Sequence, residues 1–327
     1  MTTEPLDRPL PALLRLPPHR SVLPSGPGER MLGLDPDTAL VVGDLSPPLA
    51  AMLDDLGGPV RTDQLVAGAV ARGAEAAAAD DLLHDLVDAG ALIDATTVDR
   101  IALHRRRSSA VVVGSGPLAV GIVIGLLRSQ IGAVHTVIDG TVRVGDLGTG
   151  LHDADVGSPR LAAIRAAVTR LVPSSRTGPP PRRLVPDLVV LADETPDPAR
   201  LFGLMSDGTA HVVARLRDGV GIVGPLVLPG RSACLRCLEL HRTARDESWP
   251  AVAAQLIGRR GTADQACIAA TAALATAQSI AALDGAAGAG PAPPILDATL
   301  ELDATAAKLV RRHWPAVPGC PCRAATR

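Results

Sequence analysis

Aromatic side chains are almost missing from this chain of 327 residues: one phenylalanine, Phe202, two tryptophans, Trp249 and Trp314, and no tyrosine. Stacking of nucleic-acid bases on aromatic platforms is therefore excluded as a binding mode, and the cores have to be built from Ala, Val, Leu and Ile. Charge of one sign is lacking too. With 32 basic and 34 acidic residues the formal net charge is -2, so no global field recruits nucleic acid. The opening stretch, Met1 to Arg20, carries Asp7 and several prolines and has no basic segment leading into an apolar run, so it does not read as a signal peptide. No segment offers about 18 uninterrupted apolar residues, the length a membrane helix needs. The expectation is a soluble cytoplasmic protein with neither a membrane nor nucleic acid as partner.

Cysteine is also scarce, and where it falls is informative. Four of the five cysteines form two tight pairs, Cys234-Leu-Arg-Cys237 and Cys320-Pro-Cys322, separated by 82 residues. Two thiolates from each pair complete a tetrahedral zinc site with Zn–S distances of about 2.3 Å. A disulfide needs an oxidising compartment, and inert buried thiols have no reason to pair in sequence. Four protein ligands leave no open position for water, so the metal braces the fold and does no chemistry. Nearby His241 and His313 are read as supporting or surface residues. Cys267 has no base beside it and reads as a small core residue.

The first 95 residues read as a separate module. Short apolar runs at Leu13–Leu16, Met31–Leu34 and Ala39–Val42 suggest strands. Ser46-Pro47-Pro48 then opens a helix, Thr62 a second, and Ala76–Ala89 a third that ends at Gly90. Three strands with three helices suggest a winged-helix-like α+β module. Its third helix carries Asp80, Asp81, Asp85 and Asp88, which phosphate would repel, so the expected ligand is a peptide. Residues 96–109, with Arg105-Arg106-Arg107, read as a solvated linker.

From residue 110 to the end the pattern is α/β. Ala110–Val113 is a buried strand, Gly114-Ser115-Gly116-Pro117 a glycine-rich turn, Leu118–Ser129 a helix, and Ala133–Asp139 a strand ending in an acid. This is the order of a dinucleotide-type βαβ unit, with Gly114 for the tight turn, Gly116 for close backbone approach and Asp139 for a ribose hydroxyl. The third glycine, Gly121, arrives late, and Pro117 removes an amide donor. Alternation continues through a helix at 161–171, strands at 187–191 and 210–215 with a helix at 199–205 between them, an alanine-rich helix at 264–283 and a strand at 295–302. Arg176–Arg183 reads as an extended proline-rich loop, and Ala287–Pro294 as a Gly/Pro loop.

The stretch Gly224-Pro-Leu-Val-Leu-Pro-Gly-Arg-Ser-Ala-Cys-Leu-Arg-Cys237, with Leu238–Arg242 and Trp249-Pro250, and Arg311-Arg-His-Trp-Pro315 leading into Gly319–Cys322, resembles the ThiF/MoeB-like superfamily related to ubiquitin-activating enzymes. More narrowly it is similar to the cyclodehydratase-partner, precursor-leader-binding proteins of thiazole/oxazole-modified peptide biosynthesis. The resemblance covers about Ala110 to Arg323 and implies a Rossmann-like ThiF-type domain with a structural zinc site, preceded by a leader-recognition module. Catalytic members of the superfamily bind ATP with magnesium and adenylate a carboxylate. On their motifs, Asp139 matches the ribose-binding acid, Arg160 in Val156-Gly157-Ser-Pro-Arg160 the usual lysine, and Asp193 or Glu194 the magnesium ligand. The stretch Asp146-Leu-Gly-Thr-Gly150 stands where an Asn-Leu-x-Arg-Gln motif carries a phosphate-neutralising arginine. Losing that arginine and the phosphate loop together removes most of what phosphoryl chemistry requires.

The expected role is therefore a scaffold without catalytic residues. It would bind an extended leader peptide at a sheet edge against the acidic helix and dock an ATP-dependent YcaO-type cyclodehydratase. The alternative is an active adenylating enzyme using Gly114, Gly116, Gly121, Asp139, Arg160 and Asp193. An NAD-dependent oxidoreductase explains neither the cysteine pairs nor the Gly224–Gly230 stretch, and a DNA-binding first domain comes last. A homodimer is expected by analogy.

Overall fold

The computed structural model describes residues 9–288 and 291–323. The reading of Asp7, and two residues of the expected 287–294 loop, lie outside the described residues. The chain divides into two compact units, Met1–Ile101 and Ala102–Arg327.

The first unit contains β1 (Leu13–Arg15), β2 (Val22–Gly26), β3 (Glu29–Leu32), β4 (Leu40–Val42), α1 (Pro47–Asp54), β5 (Val60–Arg61), α2 (Thr62–Ala71), α3 (Ala76–Asp88) and β6 (Ile93–Asp94). The strands form two small sheets, ordered β5-β1-β6 and β2-β3-β4. This is richer in strand than expected. β2 escapes sequence reading because Pro24, Ser25 and Gly26 look like a turn, and the register slips between Pro24 and Gly26. The core is aliphatic, with Leu14, Leu32, Met52, Leu53, Leu83 and Leu86 almost wholly buried. Pro47 starts α1 as expected, but Ser46 makes no side-chain cap. The four aspartates of α3 are all exposed.

Most of the expected linker at residues 96–109 is instead helical, within α4 (Ala95–Arg107). The basic triplet falls in its last turn, where cations oppose the negative end of the helix dipole. Arg105 also clasps Asp284 through Nε at 2.9 Å and Nη2 at 2.5 Å. What reads as a solvated charge run is a helix end held by a bidentate ion pair.

The second unit continues with β7 (Ser109–Val113), α5 (Pro117–Arg128), β8 (Ala133–Val137), α6 (Arg160–Leu171), β9 (Leu188–Asp193), α7 (Pro198–Ser206), β10 (His211–Arg217) and β11 (Val220–Val227). It then runs through α8 (Leu235–Thr243), α9 (Trp249–Leu256), α10 (Gln265–Ala286), β12 (Ala298–Asp303) and β13 (Lys308–His313). One seven-stranded mixed sheet is ordered β13-β12-β11-β10-β9-β7-β8. Neighbours from β8 to β10 pair in parallel, and those from β10 to β13 antiparallel. The direction of winding reverses between β7 and β9, which opens a crevice at their carboxyl ends.

α10 is 22 residues long with a mean hydropathy of 1.6, long and apolar enough by composition to cross a membrane. It lies against α5, β10 and β11, so its apolarity is that of a core helix with neighbours on several faces. The proline-rich loop near residue 178 is tied to the sheet. Gly178 O accepts from Thr136 N at 2.8 Å, and Thr177 Oγ1 donates to Val134 O at 2.9 Å. The loop thereby covers the outer edge of β8.

Candidate functional site

The glycine-rich turn lies at the switch point. An ideal Cβ on Gly114 would stand 2.5 Å from Ala192 O, and one on Gly116 2.5 Å from Asp193 Oδ1, so both positions need glycine for close approach. Pro117 takes the first helical position of α5, where a missing amide hydrogen matters least. Gly121 is not part of the turn. It lies inside α5, where a Cβ would come 2.8 Å from Ala272 of α10; its late arrival reflects helix packing.

What occupies the turn is a side chain of this protein. The buried Asp193 carboxylate accepts from Gly116 N at 2.9 Å, Leu118 N at 2.9 Å and Ala119 N at 3.1 Å. These are the orphan amides of a helix start, the groups that would otherwise hold a phosphate. Burial pushes the Asp193 carboxyl up, and the three amides and Arg260 oppose that rise.

A second network closes over the first. Asp146, buried, takes Arg160 Nε and Nη2 on Oδ2 at 3.1 and 2.9 Å and Arg260 Nη1 on Oδ1 at 2.7 Å. Arg160 Nη1 also donates to Asp139 O at 2.9 Å. Arg260 reaches Ser115 Oγ at 2.8 Å and Glu194 Oε1 at 3.4 Å, and Ser115 donates to Glu194. Burial would raise the Asp146 carboxyl, but the Arg143 amide and the two guanidiniums outweigh it and hold the group below its ordinary value. Three carboxylates against two guanidiniums leave no surplus positive charge for a polyphosphate.

A cavity of about 300 Å³ remains beside the turn. Its charged lining is Asp139, Glu194, Asp197 and Arg200, three acids against one base. The structure thus brings Gly114, Gly116, Asp139, Arg160 and Asp193 to one crevice and leaves Gly121 outside it. Asp193 faces inward, Glu194 lines the cavity, and Asp146 is a hub of two ion pairs. Arg260 is the member of this network that sequence reasoning misses. Its partner Asp146 lies 114 residues away, and nothing local in Gly258-Arg-Arg-Gly261 announces it.

The cysteine pairs do meet. Sγ separations are 4.0 Å for Cys234–Cys237, 3.7 Å for Cys234–Cys320 and 3.6 Å for Cys237–Cys322, and all four ligand atoms lie within 4.8 Å of one another. A tetrahedral ion with Zn–S of about 2.3 Å requires sulfur separations of about 3.8 Å, so the cluster is compatible with zinc. Val317 N donates to Cys237 Sγ at 3.4 Å and favours its thiolate, whereas burial pushes the thiols of Cys234, at the start of α8, and Cys322 up, the latter to about 11. His241 Nε2 faces Pro315 O at 2.8 Å rather than the sulfurs. Cys267 is a core residue, 1% exposed.

No protein-family model and no curated protein sequence matches the chain. Solved structures do. The microcin C7 biosynthetic enzyme MccB in complex with N-formylated MccA is 13% identical, covering 95% of this chain and 99% of that one, with a TM-score of 0.70. E. coli MccB with ATP is 14% identical over 94% and 98%, also at 0.70. PaaA is 12% identical over 91% and 99%, at 0.63. At this identity the likenesses show the fold alone, shared with MccB and PaaA across nearly the whole chain.

Proposed function

We propose that this protein is a non-catalytic scaffold of ribosomal peptide modification, one that binds a precursor leader peptide and presents it to a separate ATP-dependent cyclodehydratase of the YcaO type. One observation carries the reading: the amides of the glycine-rich turn are occupied by Asp193, and the arginines that could neutralise phosphate are paired to Asp146. Admitting ATP would mean displacing a buried carboxylate and breaking charge-assisted bonds inside an acidic crevice.

The peptide would be taken up by the first unit. In the β2-β3-β4 sheet, Pro24 and the register slip blunt the β2 edge, while β4 has no outer neighbour among the described strands. Leu23, Met31 and Val41 form one cross-strand row, with Leu23 40% and Val41 53% exposed. A strand added at β4 would extend that row, and basic residues of the peptide would suit the exposed aspartates of α3. The four cysteines would hold zinc and brace the second unit, which would dock the partner enzyme from the cytoplasm, as a monomer or a homodimer.

An adenylating enzyme is the second reading. The open cavity beside Asp139 favours it, as does MccB, a structural neighbour solved with ATP. Calorimetric titration with ATP and magnesium, with pyrophosphate exchange followed on the same sample, separates the two. The scaffold reading expects neither heat of binding nor exchange; exchange above background would establish adenylation in its place.

A further inference from the structure

A cavity of about 600 Å³ lies on the face of the sheet away from α10, between β10 and the helices α7, α8 and α9. Strand alternation turns His211, Val213 and Arg215 of β10 into it. Its walls are mainly apolar, from Leu201 and Met205 of α7, Leu235 and Leu238 of α8 and Trp249 of α9. Its volume falls in the range of about 300–1,000 Å³ usual for organic ligands.

Arg215 is the anomaly in this lining. Its guanidinium makes no hydrogen bond or ion pair with another described residue, although its neighbours' charges act on it. The two acids that favour it are already engaged. Glu239 holds Arg242 Nη1 at 3.0 Å and accepts from Trp249 Nε1, and Glu301 is shared by Arg217 at 3.3 Å and Arg312 at 2.9 Å. Arg215 itself is half-buried, and beside it Arg242 is a buried cation, 5.0 Å from the Trp249 ring centroid. Burial, and after it the nearby Arg242, push the Arg215 guanidinium down to about 10. An unmatched cation among apolar walls is costly unless something anionic meets it.

We propose that this cavity binds an apolar carboxylic acid, whose hydrocarbon body fills the space between α7, α8 and α9 and whose carboxylate pairs with Arg215. The ligand chemistry follows from the lining: one planar donor fork matches one carboxylate, and the apolar walls select a body without further charge. The site adjoins the crevice through Thr195, Pro196 and Ile257 but uses none of its phosphate-facing groups, so it stands whether or not the chain binds ATP. The acid could be free or the end of a peptide chain, and the test distinguishes these.

The full-length, zinc-loaded protein would be titrated with octanoate and 4-phenylbutyrate, with their neutral amides, and with acetyl-Leu-Phe bearing a free or an amidated carboxyl end. Tryptophan fluorescence gives the signal, since Trp249 lines the cavity. Saturable binding of an acid, at least about tenfold tighter than its amide and lost to a similar degree in Arg215→Leu, is the expected result. Binding by the free acids alone, or by the acid-ended dipeptide, identifies the source. Equal binding of acid and amide, an unchanged affinity in Arg215→Leu, or no saturation with any acid would overturn the proposal. Thermal unfolding of ligand-free Arg215→Leu adds a check. A raised Tm is expected from removing an unmatched charge, and a Tm lowered by several degrees would show that Arg215 braces the protein and is not waiting for a ligand.

Discussion

Asp193 combines two features that separate substitutions can disentangle. Its backbone lies at φ 68°, in the left-handed region, and its carboxylate satisfies three amides. Asp193→Ala loses the acceptor and meets left-handed strain, so a loss of about 3–4 kcal/mol is expected by chemical denaturation. Asp193→Gly relieves the strain, and it should recover about 1 kcal/mol of that loss. Asp193→Asn keeps an acceptor and tolerates the backbone, and it should be the mildest of the three. Equal destabilisation by all three would mean that the amides find other partners. Asp146 makes the complementary case in pH. Its folded value is depressed, so its contribution is present above the unfolded value of about 3.9 and is lost as pH falls through the folded one. The stability advantage of the parent protein over Asp146→Asn should be flat at neutral pH and shrink below about pH 4 in acid titrations. Persistence of the full gap at the acid end would refute the ion-pair account.

Elements show why part of the fold is legible in sequence and part is not. α5 is readable from its proline start and apolar run, and the alternation of strands and helices from residue 110 follows from periodicity alone. The meaning of the glycines is not. Gly121 and Gly125 lie one turn apart on α5 and face Ala272 and Thr276, one turn apart on α10, where added Cβ atoms would approach to 2.8 and 2.6 Å. Spacing of four in both helices makes a close crossing that no single-helix pattern reveals. Gly121→Ala therefore sets two effects against each other. Helix propensity favours alanine by about 1 kcal/mol, and overpacking a tight contact costs about 1–3 kcal/mol. A net loss in Tm is expected, and a gain would mean that the helices separate without penalty. On the first unit, β4 as the peptide edge predicts that Val41→Glu abolishes selection of binders from a displayed peptide library while leaving Tm within about 2 °C, as an exposed substitution should. Undiminished selection would move the peptide elsewhere.

At the scale of the whole molecule, the four-cysteine cluster is the feature most legible in sequence, because thiol pairs that meet in space are also pairs in the chain. The ion network is the least legible: Asp146 and Arg260 come from separate connections and read as ordinary loop charges, while Asp193, the end of β9, reads as a candidate magnesium ligand and not as the acceptor for the turn's own amides. The cysteines join α8 to the chain end beyond β13, closing a stretch from Cys234 to Cys322 that contains α9, α10 and the last two strands. Binding energy of a four-thiolate metal is folding energy, since the unfolded chain offers no such site. Removing the metal with a strong chelator, or Cys320→Ser, should lower Tm by well over about 5 °C, because only about 1 kcal/mol shifts a domain of this size by roughly 2–4 °C. The cavity beside the cluster shares Cys234, Cys320 and Cys322 as lining, so metal loss should also disturb Trp249 fluorescence before global unfolding. If chelation changes neither Tm nor fluorescence, the four thiols pack as apolar side chains and the metal has no part in holding this unit together.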